Sequence, residues 1–338
     1  MADVPDSEYA SRLDLRNERI FSIDPPTARD LDDAVSIKLL DDGTYELGVH
    51  IADVSYFIAE SSPLDIEASQ RGTSVYLVQK VIPMLPRRLC EDLCSLNPDV
   101  DRLAFSVHWN VDIDGNFIGE PRFARSLIRS CAKLSYDHAQ MVIDGKSWKK
   151  VPGIFIGNSM DMASVRNDIV LLYNLSKTLR QKRFENGSLT LKSHRLWFDM
   201  DDLGNPVGCG IYQIKEANRL IEEFMLLANI AVSHQLAMSF PEQALLRCHP
   251  PPLPQTLLDL ASSLAVIGIK LDTTSAKTLN ASFEAIENPR HRDLIRSLAV
   301  KKMKRAAYFC AGSKDLSQYS HYALGVPLYT HFTYSCIT

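Results

Sequence analysis

The sequence predicts an α+β fold in one domain, β-rich over its first part and α-rich over the remainder. Two observations carry this. Apolar residues alternate with polar ones at Tyr45, Leu47, Val49 and Ile51, and again at Leu103, Phe105, Val107, Trp109 and Val111, the period-2 signature of half-buried strands. From about residue 135 the spacing becomes helical, and no internal repeat, low-complexity tract or domain boundary interrupts the chain.

In order, residues 1–17 read as a linker or lead-in, and 19–23 and 34–40 as strands. Asp41-Asp42-Gly43 supplies a hairpin turn into a strand over 44–52. Residues 64–71 are helical, 73–79 and 103–111 extended, and Cys90 and Cys94 share a face of a short helix after Pro86. Asp114-Gly115-Asn116 turns the chain into an extended stretch over 117–128. Helices follow over 136–143 and 160–186, the second closed by Gly187. Strands are expected over 189–197 and 210–214, then a strong helix over 216–239 with Leu220, Phe224, Leu227 and Ala231 inward. The run His249-Pro250-Pro251-Pro252 breaks the chain before helical stretches at 254–267, 275–287 and 290–311.

The 338 residues are 46% hydrophobic and 23% charged, the balance of a globular protein with a sizeable core. Net charge is −4, so a nucleic-acid partner must be met by basic residues focused into a groove. The seven cysteines are odd in number and scattered, without zinc spacing, which reads as reduced thiols of a cytoplasmic protein. No apolar run is long enough to span a membrane, and residues 1–19 carry no apolar leader, so no membrane partner is expected.

The densest chemistry lies in Ser22-Ile-Asp-Pro-Pro-Thr-Ala-Arg-Asp-Leu-Asp-Asp-Ala-Val35. Asp24, Asp30, Asp32 and Asp33 fall within ten positions, with Pro25-Pro26 between the first and the rest. Four carboxylates on a short, stiff loop repel one another unless a cation sits among them. An all-oxygen donor set selects a hard divalent ion, Mg²⁺ in particular. The loop lacks the Gly and Glu of an EF-hand, and no apolar strand runs straight into an Asp-x-Asp nucleophile. A solvated turn with capping aspartates is the bland alternative, weakened by the apolar flanks Ile23 and Ala34–Ile37. Two-metal phosphodiester hydrolysis, with cations about 3.5–4 Å apart, suits the set.

This stretch resembles the signature loop of the RNB-domain exoribonucleases, the RNase II and RNase R type. The family's blocks recur in order: His50-Ile-Ala-Asp-Val-Ser-Tyr-Phe57, Arg71-Gly-Thr-Ser-Val-Tyr76, Val81-Ile-Pro-Met-Leu-Pro86, Leu93-Cys-Ser-Leu-Asn-Pro98, Lys133-Leu-Ser-Tyr-Asp137, Leu220-Ile-Glu-Glu-Phe-Met-Leu-Leu-Ala-Asn229 and Tyr329-Thr-His-Phe-Thr333. The resemblance covers residues 14–333 and points to the eukaryotic, exosome-independent Dis-three-like type-two branch. It implies a single RNB catalytic domain over 18–333 around a narrow RNA channel. It also implies processive, Mg²⁺-dependent 3′→5′ hydrolysis of single-stranded RNA to nucleoside 5′-monophosphates in RNA and mRNA decay. Mn²⁺ is the alternative metal. The partner is single-stranded RNA, oligouridylated RNA among it, with no DNA expected, and the protein is expected to be a monomer.

Residue by residue, the resemblance implies that Asp24, Asp30 and Asp33 hold the metal. Asp32 matches the acid whose loss abolishes cleavage. Tyr76 matches the tyrosine that stacks on the 3′-terminal base, a contact worth about 1–3 kcal/mol for any base. Glu222 and Glu223 are adjacent on a helix, so one is expected in solvent and the other near substrate. Glu222 and Asn229, seven residues apart, are expected on one face of that helix, the pair lining the RNA path. Arg247, between Leu245-Leu246 and the proline run, is the basic residue most expected to meet phosphate. His331 lies near the site's edge.

After Thr333 the family pattern continues Ser-Pro-Ile-Arg-Arg-Tyr, whereas this sequence reads Tyr334-Ser-Cys-Ile-Thr338, a non-family tail. The arginine of that motif reaches the scissile phosphate, and such a group stabilises transition-state charge. The expectation is a slowed or truncated enzyme. The alternatives are a catalytically inactive RNA-binding module and a non-functional truncated isoform.

Overall fold

In the computed structural model, which describes residues 4–112, 114–148, 151–157, 161–189 and 196–332, the period-2 stretches pair into one eight-stranded sheet. Helix α1 (Asp6–Ser11) and strand β1 (Leu13–Asp14) precede β2 (Ile20–Asp24), β3 (Asp33–Leu39) and β4 (Tyr45–Ala52). Helix α2 (Pro63–Arg71) and the hairpin of β5 (Val75–Tyr76) and β6 (Val81–Ile82) come next. Then follow β7 (Asp101–Val111), β8 (Phe117–Arg129), β9 (Ala132–Ser135), helix α3 (Tyr136–Ile143) and β10 (Phe155–Ile156). The sheet order is β1-β8-β7-β4-β3-β2-β9-β10.

The β3–β4 hairpin turns where the sequence demands it. Gly43 sits at φ 83°, which a Cβ would disfavour, and Asp42 accepts hydrogen bonds from the amide and hydroxyl of Thr44. Strand β2 runs antiparallel to β3 but parallel to β9, and every one of its five residues is buried.

The α-rich remainder begins with α4 (Met162–Glu185), the hairpin β11 (Leu196–Met200) and β12 (Pro206–Ile211), and α5 (Glu216–Ser239). It continues through β13 (Leu245–Cys248), α6 (Pro254–Ala265), α7 (Ala276–Glu284), α8 (Pro289–Val300) and β14 (Ala307–Cys310), which pairs with β13. Helices α3, α4 and α5 cover one face of the sheet. Phe21, Val35, Val49 and Val107 meet Ile169 of α4 and Phe224 of α5 in the largest core, each buried side chain stabilising by roughly 1.5–3 kcal/mol. On the opposite face, Ile20, Leu31, Ala34 and Ala104 join Leu89 and Leu96 in a second core. Helices α6–α8 enclose a third core of their own. No described helix is long and apolar enough to cross a membrane, and none of the six described cysteines is in a disulfide.

Four expectations need correction. Residues 4–17 are tied to the sheet: β1 pairs with β8, and the buried Arg12 meets Asp53 at 2.7 Å and Glu8 at 2.6 Å. Strands β4 and β7 are buried on both faces along most of their length. Their polar face is closed by a hydrogen-bonded ladder. His50 joins Ser36 (2.9 Å) to Ser106 (2.7 Å), and Ser106 joins Ser126 (2.6 Å). The extended stretch at 73–79 contracts to Val75–Tyr76, whose partner strand is only two residues long. The helix expected over 290–311 ends at Val300. The segment with Tyr308 and Phe309 is a strand, because Phe309 is buried beside Leu246, with Tyr319 against it. The expected strand at 189–197 falls mostly on residues outside those described, as do Thr333 and the tail.

Candidate functional site

Asp24 closes β2 and Asp33 opens β3. These strands are antiparallel neighbours, so the two acids leave the same end of the sheet. The connecting loop is pinned rather than loose. Leu31 is fully buried, its amide donates to Ser95 Oγ (3.0 Å), and its carbonyl accepts from Leu96 N (2.9 Å). Ser95 Oγ in turn donates to the Arg29 carbonyl (2.8 Å). Lys133 Nζ donates to the Ala28 carbonyl (2.7 Å), and the Ala52 amide to the Asp32 carbonyl (2.9 Å). Each of these clamps grips the backbone of the loop rather than its carboxylates.

Their electrostatics follow. Asp24 is 8% exposed, and its buried Oδ2 has no hydrogen-bond partner among the described residues. Burial pushes its carboxyl up to about 7; the Ser22 hydroxyl and Lys133 oppose the rise, and the charges of Asp32 and Asp30 add to it. Asp33 is raised well above the ordinary carboxylate range by burial, then by Asp24 and Asp32. Asp30 accepts a hydrogen bond from the Tyr76 hydroxyl at 3.2 Å, while the Tyr76 ring is 68% exposed. Among the described residues no three His, Cys, Asp or Glu side chains converge tightly enough to be a formed metal cage. The donor set still fits a hard cation: all oxygen, mutually repelling, and with one buried oxygen left unpartnered.

The RNB domain family profile matches residues 12–334. The chain belongs to the RNB-domain family.

It is 50% identical over 341 residues to DIS3-like exonuclease 2 of Xenopus tropicalis, covering 98% of this chain and 40% of that protein. It is 43% identical to the Inactive exonuclease DIS3L2 of Arabidopsis thaliana, covering 98% of this chain and 32% of that one. The chain thus spans less than half the length of these curated relatives. The RNB fold superimposes on Mycoplasma genitalium RNase R in complex with ribose-methylated single-stranded RNA. The TM-score is 0.87 at 25% identity, over 99% of this chain and 50% of that one.

The other expected residues of this RNB domain lie on the helical side. Glu222, expected along the RNA path, is exposed on α5, and Glu223 is buried against the Arg183 guanidinium. Asn229 does not share an open face with Glu222. It is 1% exposed, donates to the Tyr329 hydroxyl (3.1 Å) and accepts from the Phe332 amide (2.6 Å). Asn229 therefore fastens the 329–332 segment to α5. Phe332 packs edge-on against Phe105 at 5.4 Å between centroids, and Phe105 lies in register with Ile51 and hence with Asp33. His331 is reached through Tyr329, whose hydroxyl shares a hydrogen bond with His331 Nδ1 (3.0 Å). Arg247 is half-buried in β13.

Three arginines of β8 at the surface form ion pairs. Arg122 meets Glu46, Arg125 meets Asp53 and Arg129 meets Asp101. Sequence reasoning missed the clamp formed by Leu31 and Ser95. The signal available was an apolar residue standing alone among aspartates, with no polar reason to be there.

Proposed function

We propose that this chain is the catalytic domain of a divalent-metal-dependent 3′→5′ exoribonuclease, shortening single-stranded RNA to nucleoside 5′-monophosphates in RNA and mRNA decay. The observation that carries the reading is the acid cluster of a matched RNB domain, with Asp24 buried and one of its oxygens unpartnered. Asp24, Asp30 and Asp33 would hold Mg²⁺, or Mn²⁺ in its place, and Asp32 is the acid assigned to the chemical step. When bound, the metal supplies charge neutralisation at the phosphate and a lowered pKa for its water. The chain's own residues do the rest. Tyr76 presents an exposed ring on which a terminal base of any identity can stack, and Asp30 orients that ring through its hydroxyl. The backbone clamps on Leu31 and Asp32 hold the loop against the repulsion of its own carboxylates.

The same proposal takes single-stranded RNA, including oligouridylated RNA, as partner and the monomer as the working state. It places the protein in the cytoplasm on the strength of its scattered cysteines. A second reading is an RNA-binding module without turnover. It is favoured by the relative named as an inactive exonuclease at 43% identity. Product analysis separates them. Oligouridine incubated with the chain and Mg²⁺ should release uridine 5′-monophosphate, and EDTA should stop the release. Tight binding with no nucleotide released supports the second reading instead.

A further inference from the structure

Arg247 is half-buried, and its guanidinium lies 5.2 Å from the centroid of Tyr308, its cross-strand partner on β14. Its Nε is closed off from solvent and has no hydrogen-bond partner among the described residues. No described carboxylate forms an ion pair with it. Other arginines drawn into this protein are treated differently: Arg12 meets Asp53, Arg102 meets Asp92, Arg183 meets Glu223 and Arg296 meets Glu284.

What surrounds Arg247 is histidine. His249 comes just after the end of β13 and packs against His321 at 5.1 Å between centroids, the ring planes tilted by 49°. The Arg247 amide donates to the Tyr329 carbonyl (2.7 Å), and Tyr329 carries His331. Burial pushes His321 and His331 down to about 4, with the Arg247 charge acting in the same direction. Neutral rings do not compensate a cation. Among the described residues a partly desolvated positive charge is therefore left without a counter-charge, an arrangement that is unfavourable until an anion arrives.

The place of this cluster is informative. The segment that carries His331 ends in Phe332, packed on Phe105, two strands or about 10 Å across the sheet from Asp33. We infer that Arg247, with His321 and His331 beside it, is a phosphate subsite separate from the acidic loop, holding one non-scissile phosphodiester of the RNA strand. A guanidinium fork matches two phosphate oxygens, and a neutral imidazole adds one N–H donor. Such a contact positions the strand and reads no base. The inference rests on the proposed function for its ligand, and it extends that function beyond the metal loop.

The test is equilibrium binding of fluorescent oligouridine and oligoadenine over a range of salt, in Mg²⁺. It uses the whole chain carrying Asp32→Asn so that the strand stays intact. Arg247→Met should weaken binding about tenfold, equally for both sequences, as expected for loss of a charge-assisted contact. The slope of log K against log salt should become shallower by about 0.7, one phosphate on a single strand. Arg247→Lys, which keeps the charge, should restore the slope. Arg247→Gln is a second neutral variant should Met impair folding, which circular dichroism and melting report. An unchanged slope in a folded neutral variant overturns the subsite, as does an equal loss in Met and Lys, which would mark a packing role. Stabilisation of the parent by inorganic phosphate with no effect of Arg247 on the RNA slope also overturns it, since the site would then serve the free anion. Failure to shorten RNA would sink the proposed function while leaving this slope measurement intact.

Discussion

The Tyr76 hydroxyl donates to Asp30 Oδ2 at 3.2 Å, joining the exposed tip of the β5–β6 hairpin to the acidic loop. The ring itself is open to solvent. Tyr76→Phe removes the hydrogen bond and keeps the stacking surface, so the length of the final RNA product should be unchanged. Tyr76→Ala removes the ring and should leave a longer end product without abolishing cleavage, because the acids remain. Stability should move by no more than about 0.5 kcal/mol, as for most exposed positions. A labelled-RNA gel and a urea melt check both statements; complete inactivity in a folded Tyr76→Ala chain would remove the stacking role.

Leu31 is the anchor of the loop. Leu31→Ala should destabilise the domain by about 2–5 kcal/mol, as for other fully buried leucines. Ser95→Ala leaves the Leu31 amide and the Arg29 carbonyl without their shared partner and should cost about 1–3 kcal/mol. Urea unfolding measures both. A loss within error for Leu31→Ala would show that the loop is held by something else.

The raised carboxyls of Asp24 and Asp33 give a pH dependence of definite sign. Folded, they keep protons that the unfolded chain has released, so without a divalent ion they favour folding at low pH. That stability is lost as pH rises from about 4, the unfolded value, through about 7 for Asp24. A cation competes with those protons. The rise in melting temperature on adding Mg²⁺ should therefore be larger at pH 8 than at pH 6. Asp24→Asn should raise the metal-free melting temperature at pH 8 and remove most of the Mg²⁺ effect. An equal Mg²⁺ shift at both pH values would contradict the assignment.

His50 works in the opposite sense. Buried between Ser36 and Ser106, it is held neutral well below its ordinary range, by burial first and the neighbouring His108 second. The unfolded chain takes up a proton below about pH 6.5 that the folded chain refuses. His50 thus favours folding above that pH and loses its contribution as pH falls. Between pH 7.5 and 5.5 the His50→Gln chain should lose less stability than the parent, whatever its stability at neutral pH. Parallel profiles would show that His50 takes up its proton alike in both states.

Much of this was readable in advance, for physical reasons that differ by element. The β3–β4 hairpin was legible because alternation and a glycine in the left-handed region are local signals. Helix α5 was legible at both ends because its apolar stripe is continuous. The polar face of β4 and β7 was not, because His50 and three serines look solvent-bound until strands from distant sequence bring them together. The tie of Arg12 to Asp53 was hidden in the same way, by a separation of 41 residues. Residues 301–306, rich in lysine and arginine, extend a helical pattern on paper, yet Phe309 gains more by pairing β14 to β13 and burying its ring. At the site, the four aspartates stood out as a charge problem, but the backbone clamps that hold them carry no sequence pattern.

The most direct test of the central claim is a time course of 5′-labelled oligouridine with the purified chain and Mg²⁺. The account predicts a ladder of progressively shorter labelled products that Asp32→Asn abolishes while RNA binding persists. A folded chain that binds the oligonucleotide and leaves it intact, or a ladder that survives Asp32→Asn, would contradict it.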